Sequence, residues 1–242
     1  MSLPILNEKS INVKVKVPSG KNVSIQPWRV KNEKELLFAI ESLDEKSDTY
    51  NQDARDQIYI FIEGCVDKQV NFDSLSNTDL LAIAMEMRKI SKGDTIEYQY
   101  TCPHCNTRAG DIISITKNSH IVPFNSEPII VNEDLIFNVK EIPGKEFNRL
   151  ANLYANTVTK FNYYYLLNSI ESIVYKKEIY QGFTIDELIE FVDQLSPAEY
   201  EKIYKELNEK VAIVEIKRSY KCLKCKKDVE VQFGDLFDFL IF

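Results

Sequence analysis

Apolar and polar positions along this chain fall into two spacings that take turns. Side chains alternate over Asn12–Val17 and Asn22–Gln26 on either side of Pro18-Ser19-Gly20, which predicts a β-hairpin. Helical spacing follows over Glu33–Ser42 and Ala54–Cys65, with the polar run Asp44–Asp53 between them expected as a loop. Leu80, Ile83, Ala84 and Met87 then predict a short amphipathic helix, and Ile96, Tyr98 and Tyr100 an alternating strand with a return strand at Asp111–Thr116. The stretch His120–Pro128, with Pro123 and Pro128, reads as a boundary.

Beyond it the order recurs. Val131 and Leu135–Val139 around Asn132-Glu133-Asp134 predict a second hairpin, Lys145–Ala155 and Phe161–Val174 two helices, and Tyr200, Ile203, Tyr204 and Leu207 another amphipathic helix. Strands are expected from Val211 or Ile213 through Ile216 and at Asp228–Phe233. The fold class is therefore α+β, as two related lobes, residues 1–122 and 123–242.

A shift of 120 residues superimposes the two halves. Asp73, Leu75, Ser76, Ile83, Glu86, Ile96 and Tyr100 fall on Asp193, Leu195, Ser196, Ile203, Glu206, Ile216 and Tyr220. With two cysteine pairs that makes nine identities over the 33 positions from Asp73 to Cys105, which predicts an internal duplication. Ser76-x-x-Asp79 and Ser196-Pro197-x-Glu199 both read as helix starts: a hydroxyl to cap a free N–H, an acid at the positive end of the dipole, and in the second copy a proline at the first helical position.

The cysteine pairs are Cys102-Pro103-His104-Cys105 and Cys222-Leu223-Lys224-Cys225, each in a turn between predicted strands. Four thiolates in two such turns suit a tetrahedral structural zinc site, which leaves no coordination position for a substrate water. Cysteine-rich knuckles favour zinc over other metals, with iron the remaining alternative. The expected ligands are Cys102, Cys105, Cys222 and Cys225, one pair from each lobe, with no catalytic residue and no organic cofactor. A dithiol oxidoreductase would need Cys102 at a helix N-terminus to lower its pKa, but Asn106-Thr107-Arg108-Ala109-Gly110 follows as a turn. Cys65, on the apolar face with Ile58, Phe61 and Ile62, reads as a core thiol, and His104 as an exposed filler.

Composition narrows the functional classes. A formal net charge of −7 weighs against broad nucleic-acid or anionic-membrane binding, and no apolar run approaches a membrane span. The start, Met1-Ser2-Leu3-Pro4, carries no secretory signal pattern, so paired cysteines point to metal and not to disulfides. Lys217-Arg218, Lys221, Lys224 and Lys226-Lys227 flank the second knuckle and leave a nucleic-acid-binding zinc ribbon as the alternative reading. In the helix from Phe161, Tyr163-Tyr164-Tyr165 cannot all face one core, so one edge is open to a partner. The apolar end, Phe233 to Phe242, is expected to fold back on its own lobe, with docking into another protein as the rival.

Leu3-Pro4-Ile5-Leu6-Asn7, the Pro18-Ser19-Gly20 hairpin, Gln26-Pro27-Trp28-Arg29-Val30-Lys31-Asn32-Glu33-Lys34-Glu35-Leu36-Leu37, Ala39-Ile40-Glu41-Ser42 and Tyr100-Thr101-Cys102-Pro103 together resemble the baseplate hub assembly proteins of T-even-like contractile-tailed bacteriophages. The likeness is clearest in the N-terminal half, and Asn32 departs from it where an acid is usual. It carries no catalytic motif. It implies a non-enzymatic tail-morphogenesis protein, an assembly factor or minor hub component. Its partners would be hub or tail proteins, met in the host cytoplasm during assembly or retained in the tail baseplate.

Overall fold

The computed structural model describes residues 12–240, and the Leu3–Asn7 part of the resemblance lies outside them. The architecture is α+β, with small antiparallel sheets and helices packed on them. The first hairpin pairs β1 (Val13–Lys16) with β2 (Asn22–Ile25). Gly20 closes it at φ +83°, a left-handed conformation that costs glycine nothing. Then come α1 (Val30–Glu41), α2 (Tyr50–Cys65) and α3 (Asn77–Lys92). Helix α2 starts inside the segment expected as a loop.

The expected strand and its return are β3 (Thr95–Thr101) and β4 (Arg108–Ser114), paired only with each other. A single turn, α4 (Ile115–Asn118), leads to β5 (Ser119–Val122). The second hairpin, β6 (Ile129–Asn132) with β7 (Leu135–Val139), is followed by α5 (Gly144–Leu153) and α6 (Val158–Ser169). The chain then gives β8 (Ile170–Tyr175), β9 (Glu178–Gln181), α7 (Ile185–Val192) and α8 (Pro197–Lys210). It finishes with β10 (Ile213–Lys221), β11 (Asp228–Phe233) and α9 (Leu236–Leu240).

One expected helix is too long. Helical spacing ran through Val174, yet α6 stops at Ser169 and residues 170–175 form the centre of the sheet β6-β7-β8-β9. Three of the six, Ile170, Ile173 and Val174, are β-branched and stiff in a helix; Ile173 and Val174 gain strand partners on both sides and Ile170 on one. Three tyrosines on α6 find neighbours within the chain. Tyr163 donates to Asp193 at 3.2 Å, Tyr164 stacks on Tyr154 at 4.8 Å, and Tyr165 meets Phe147 edge-on.

Helices α3 and α8 start as expected. Ser76 accepts from the Asp79 N–H while the Asp79 carboxylate accepts from the Ser76 N–H, and Ser196 and Glu199 repeat the pattern. Such a cap is worth about 1 kcal/mol. Helix α7 opens on a third box, Thr184 with Glu187.

The apolar side chains make two main cores. One is continuous in sequence, from Ile129 to Leu207, and holds the four-stranded sheet with α6, α7 and α8. The other joins both ends of the described chain: Val15 to Ile115, together with Val214, Ile216, Phe233, Leu236, Phe239 and Leu240. Here the apolar C-terminal segment was expected on its own lobe, and it lies elsewhere. Phe239 is fully buried, and α9 packs on α3 of the first half, because β11 delivers it there. Strand β5 likewise crosses over to pair with β10, Ile121 opposite Val214.

The two cores are pressed together at Gly144, whose N–H donates to Leu75 O at 2.8 Å. A Cβ there would meet Leu80 Cδ1 at 2.7 Å and Asn77 N at 3.3 Å. Gly144→Ala should therefore lower stability by about 1–3 kcal/mol. The check is urea unfolding, read as a lower midpoint at an unchanged slope. An alanine variant as stable as the parent would mean that this contact relaxes freely.

Candidate metal centre

Each cysteine pair sits at the tip of a twisted hairpin, and the two hairpins use one register. Thr101 opposes Arg108 and Tyr100 opposes Ala109 in the first. Lys221 opposes Asp228 and Tyr220 opposes Val229 in the second, each 120 positions on. The turns match as well. Cys102 N–H donates to Thr107 O at 2.9 Å and Asn106 N–H to Cys102 O at 2.9 Å; Cys222 N–H donates to Lys227 O at 2.9 Å and Lys226 N–H to Cys222 O at 2.8 Å. Asn106 and Lys226 both take left-handed φ, +53° and +61°. This bend aims both sulfurs of a pair toward the same side.

The hairpins meet face to face. Tyr100 and Tyr220 pack edge-on at 4.6 Å, and Tyr98 packs on Phe233 at 5.4 Å. Above them Cys102, Cys222 and Val229 form a small buried cluster of their own. All four sulfurs lie within 4.8 Å of one another. Cys102 Sγ is 3.7 Å from Cys225 Sγ, and Cys105 Sγ is 3.8 Å from Cys222 Sγ. Sulfurs at the corners of a tetrahedron around a zinc ion, with bonds of about 2.3 Å, stand about 3.8 Å apart. A disulfide would need about 2.05 Å. The residues fit a four-cysteine site that could hold a metal ion.

Local hydrogen bonding prepares two of the sulfurs to be thiolates. The Thr107 hydroxyl and backbone N–H hold the Cys105 thiol down at about 6, and the Cys225 and Lys224 backbone N–H groups pull Cys222 below its ordinary value. The Lys227 N–H works the same way on Cys225, but desolvation and the protons held among the neighbouring sulfurs outweigh it and push that thiol up to about 11. Four sulfurs in contact cannot all carry charge without a cation between them.

Two side chains that the sequence did not single out for this role, Arg218 and His104, lock the hairpins together, and a third, Thr107, braces the first turn. Arg218 Nη1 donates to Ile112 O at 2.8 Å and stands 3.3 Å from Asp111 Oδ2. His104, exposed as expected, lies with Nε2 3.2 Å from Asp228 O of the other hairpin. Thr107 sits 3.3 Å from Cys105 Sγ. Arg218 falls on Tyr98 in the 120-residue shift, and that departure from the repeat was the available signal.

Cys65 stands apart in the first core, 3% exposed, and burial pushes its thiol up to about 11. Folding thus favours its protonated form. That stabilisation is full below about pH 9 and is lost as the pH climbs toward 11. With a strong chelator at neutral pH, four thiols of the native chain should react with a disulfide reagent, and Cys65 only after unfolding. Five fast thiols would overturn its place in the core.

The description "T4 bacteriophage base plate protein" matches residues 9–241, nearly the whole length. The chain belongs to that family. Membership extends the resemblance of the N-terminal half through both cysteine pairs. It makes this a phage baseplate-related protein, structural or assembly in kind, that works among other baseplate proteins. No curated protein and no solved structure matches it. No helix among the described residues is long and apolar enough to cross a membrane.

Proposed function

We propose that this T4-like baseplate protein is a zinc-stapled assembly factor or minor structural component of the baseplate hub. On this reading it binds other hub or tail proteins, in the host cytoplasm during assembly or in the virion tail baseplate. The observation that carries the reading is the convergence of four sulfurs from two hairpins 120 positions apart, all within 4.8 Å and two of the cross-hairpin pairs at 3.7 and 3.8 Å. Cys102, Cys105, Cys222 and Cys225 would hold the ion, which supplies cohesion and countercharge and no reaction.

Residues 1–122 and 123–242 would then be the two copies of an ancestral unit. Support comes from the shared hairpin register, the shared left-handed turn position and the paired Ser-x-x-acid caps. A clamp of this kind fixes the two hairpins in one orientation before a partner arrives, so less ordering is left to be done on binding.

Elemental analysis after co-expression with the hub proteins and size exclusion tests both parts. One zinc per chain eluting with a hub protein is expected. Cys222→Ser should lose the metal and cost several kcal/mol, read as a fall in melting temperature that the parent shows only with chelator. A metal-free parent whose melting ignores chelator would sink the staple; a zinc-loaded chain that elutes alone would sink the hub role.

A further inference from the structure

The two knuckles share a backbone but not a chemistry. Thr101-Cys102-Pro103-His104-Cys105-Asn106-Thr107-Arg108 carries one cation, whereas Lys221-Cys222-Leu223-Lys224-Cys225-Lys226-Lys227-Asp228 carries four lysines and one acid. Every one of these five cations is exposed. None is in an ion pair among the described residues, although the cations lower on the same strand are paired, Lys217 with Glu230 and Arg218 with Asp111. Five unpaired cations, four of them in one turn, thus gather at the tip of a chain whose formal net charge is −7.

Neither the turn nor the sulfurs need it. The first knuckle makes the same bend with Thr101, His104, Asn106 and Thr107 where the second has Lys221, Lys224, Lys226 and Lys227. At the left-handed position asparagine is suited and lysine is not, so Lys226 sits there against its conformational preference. The centre of the patch is apolar: Leu223, 81% exposed, is the most exposed large apolar side chain in the described residues.

We propose that the second knuckle is a docking site for an acidic segment of a partner protein, with Lys221, Lys224, Lys226 and Lys227 meeting its carboxylates and Leu223 an apolar side chain between them. This deepens the assembly role and rests on it for the partner's origin, not for the chemistry of the surface. Charge complementarity selects the sign of the partner and an apolar centre adds contact area. Nucleic acid is the poorer occupant. Tyr100 and Tyr220, the aromatics nearest the tip, are half-buried and packed edge-on against each other below it, so no aromatic stands among the lysines for a base to stack on.

The test uses the full zinc-loaded chain and a fluorescent peptide of repeated Glu-Glu-Leu. A Lys-Lys-Leu peptide and a single-stranded oligonucleotide of similar length serve as controls. The variant replaces the four lysines by the residues of the first knuckle: Lys221→Thr, Lys224→His, Lys226→Asn and Lys227→Thr. These build the same turn, and metal content reports that the fold is kept. Expected are binding of the acidic peptide that weakens with salt, a loss of roughly tenfold or more in the variant, and a smaller loss for Leu223→Ser. Equal binding by parent and variant, no binding by the parent, or tighter binding of the oligonucleotide than of the peptide would overturn the proposal. Intact metal with no peptide binding would leave the staple standing and remove only the docking site, so the two failures read differently.

Discussion

Everything in this molecule turns on bringing two cysteine hairpins to one point. The chain between Cys105 and Cys222 is 116 residues long, and closing a loop of that length costs about 4 kcal/mol of entropy beyond a constant. Four sulfurs in contact do not meet that cost, since thiolates repel and thiols attract one another only weakly. What brings them together lies beneath. Ile96 and Ile113 of the first hairpin and Ile216 and Phe233 of the second are buried in one core, β5 is tied to β10, and Arg218 and His104 reach across. The sulfurs arrive on a scaffold already closed, where a cation would find its ligands assembled.

That closure makes the packing boundary differ from the repeat boundary. A cut between residues 122 and 123 follows the sequence repeat, but β10, β11 and α9 belong by contact to the first core. The second core, Ile129–Leu207, is then a unit carried between the two hairpins, with its ends held close by the strands that flank it. Both descriptions hold if the two copies exchanged their terminal strands, each hairpin serving a shared junction. The cores touch where Gly144 leaves room for Leu80 and where Thr78 bonds Glu141, whose carboxyl burial pushes upward.

Elements whose signals are local were legible in the sequence. The Ser76 and Ser196 caps, the Gly20 hairpin and the alternation of Ile96, Tyr98 and Tyr100 depend on neighbours a few residues away, and each stands where it was expected. The four-cysteine cluster was legible too, because two identical spacings in one register have few geometric solutions. Strands β8 and β9 were not. Residues 170–174 continue a helical apolar pattern, and only the partners supplied by β7 and β9 convert them to a strand. Helix α7 had its signal too, in Thr184-x-x-Glu187 with Leu188, Ile189 and Val192 at helical spacing behind it. The destination of α9 could not be read, since nothing local tells an apolar tail which of two cores has space.

The inequality of the knuckles bears on how such a clamp acquires a partner. Two turns that jointly bind one ion need only equal geometry, and the backbone provides it in both. Beyond the ligands, each is free at Thr101, Pro103, His104, Asn106 and Thr107, or at Lys221, Leu223, Lys224, Lys226 and Lys227. The first has turned that freedom inward, His104 against the Asp228 carbonyl and Thr107 against Cys105. The second faces solvent with charges that nothing in the described chain answers. A turn that a bound metal would tie down is a good place for such a surface, because its side chains are displayed on a backbone that need not reorganise when a partner binds. Under the proposed duplication, one copy kept the work of holding the clamp shut, and the other was left free to meet what lies outside it.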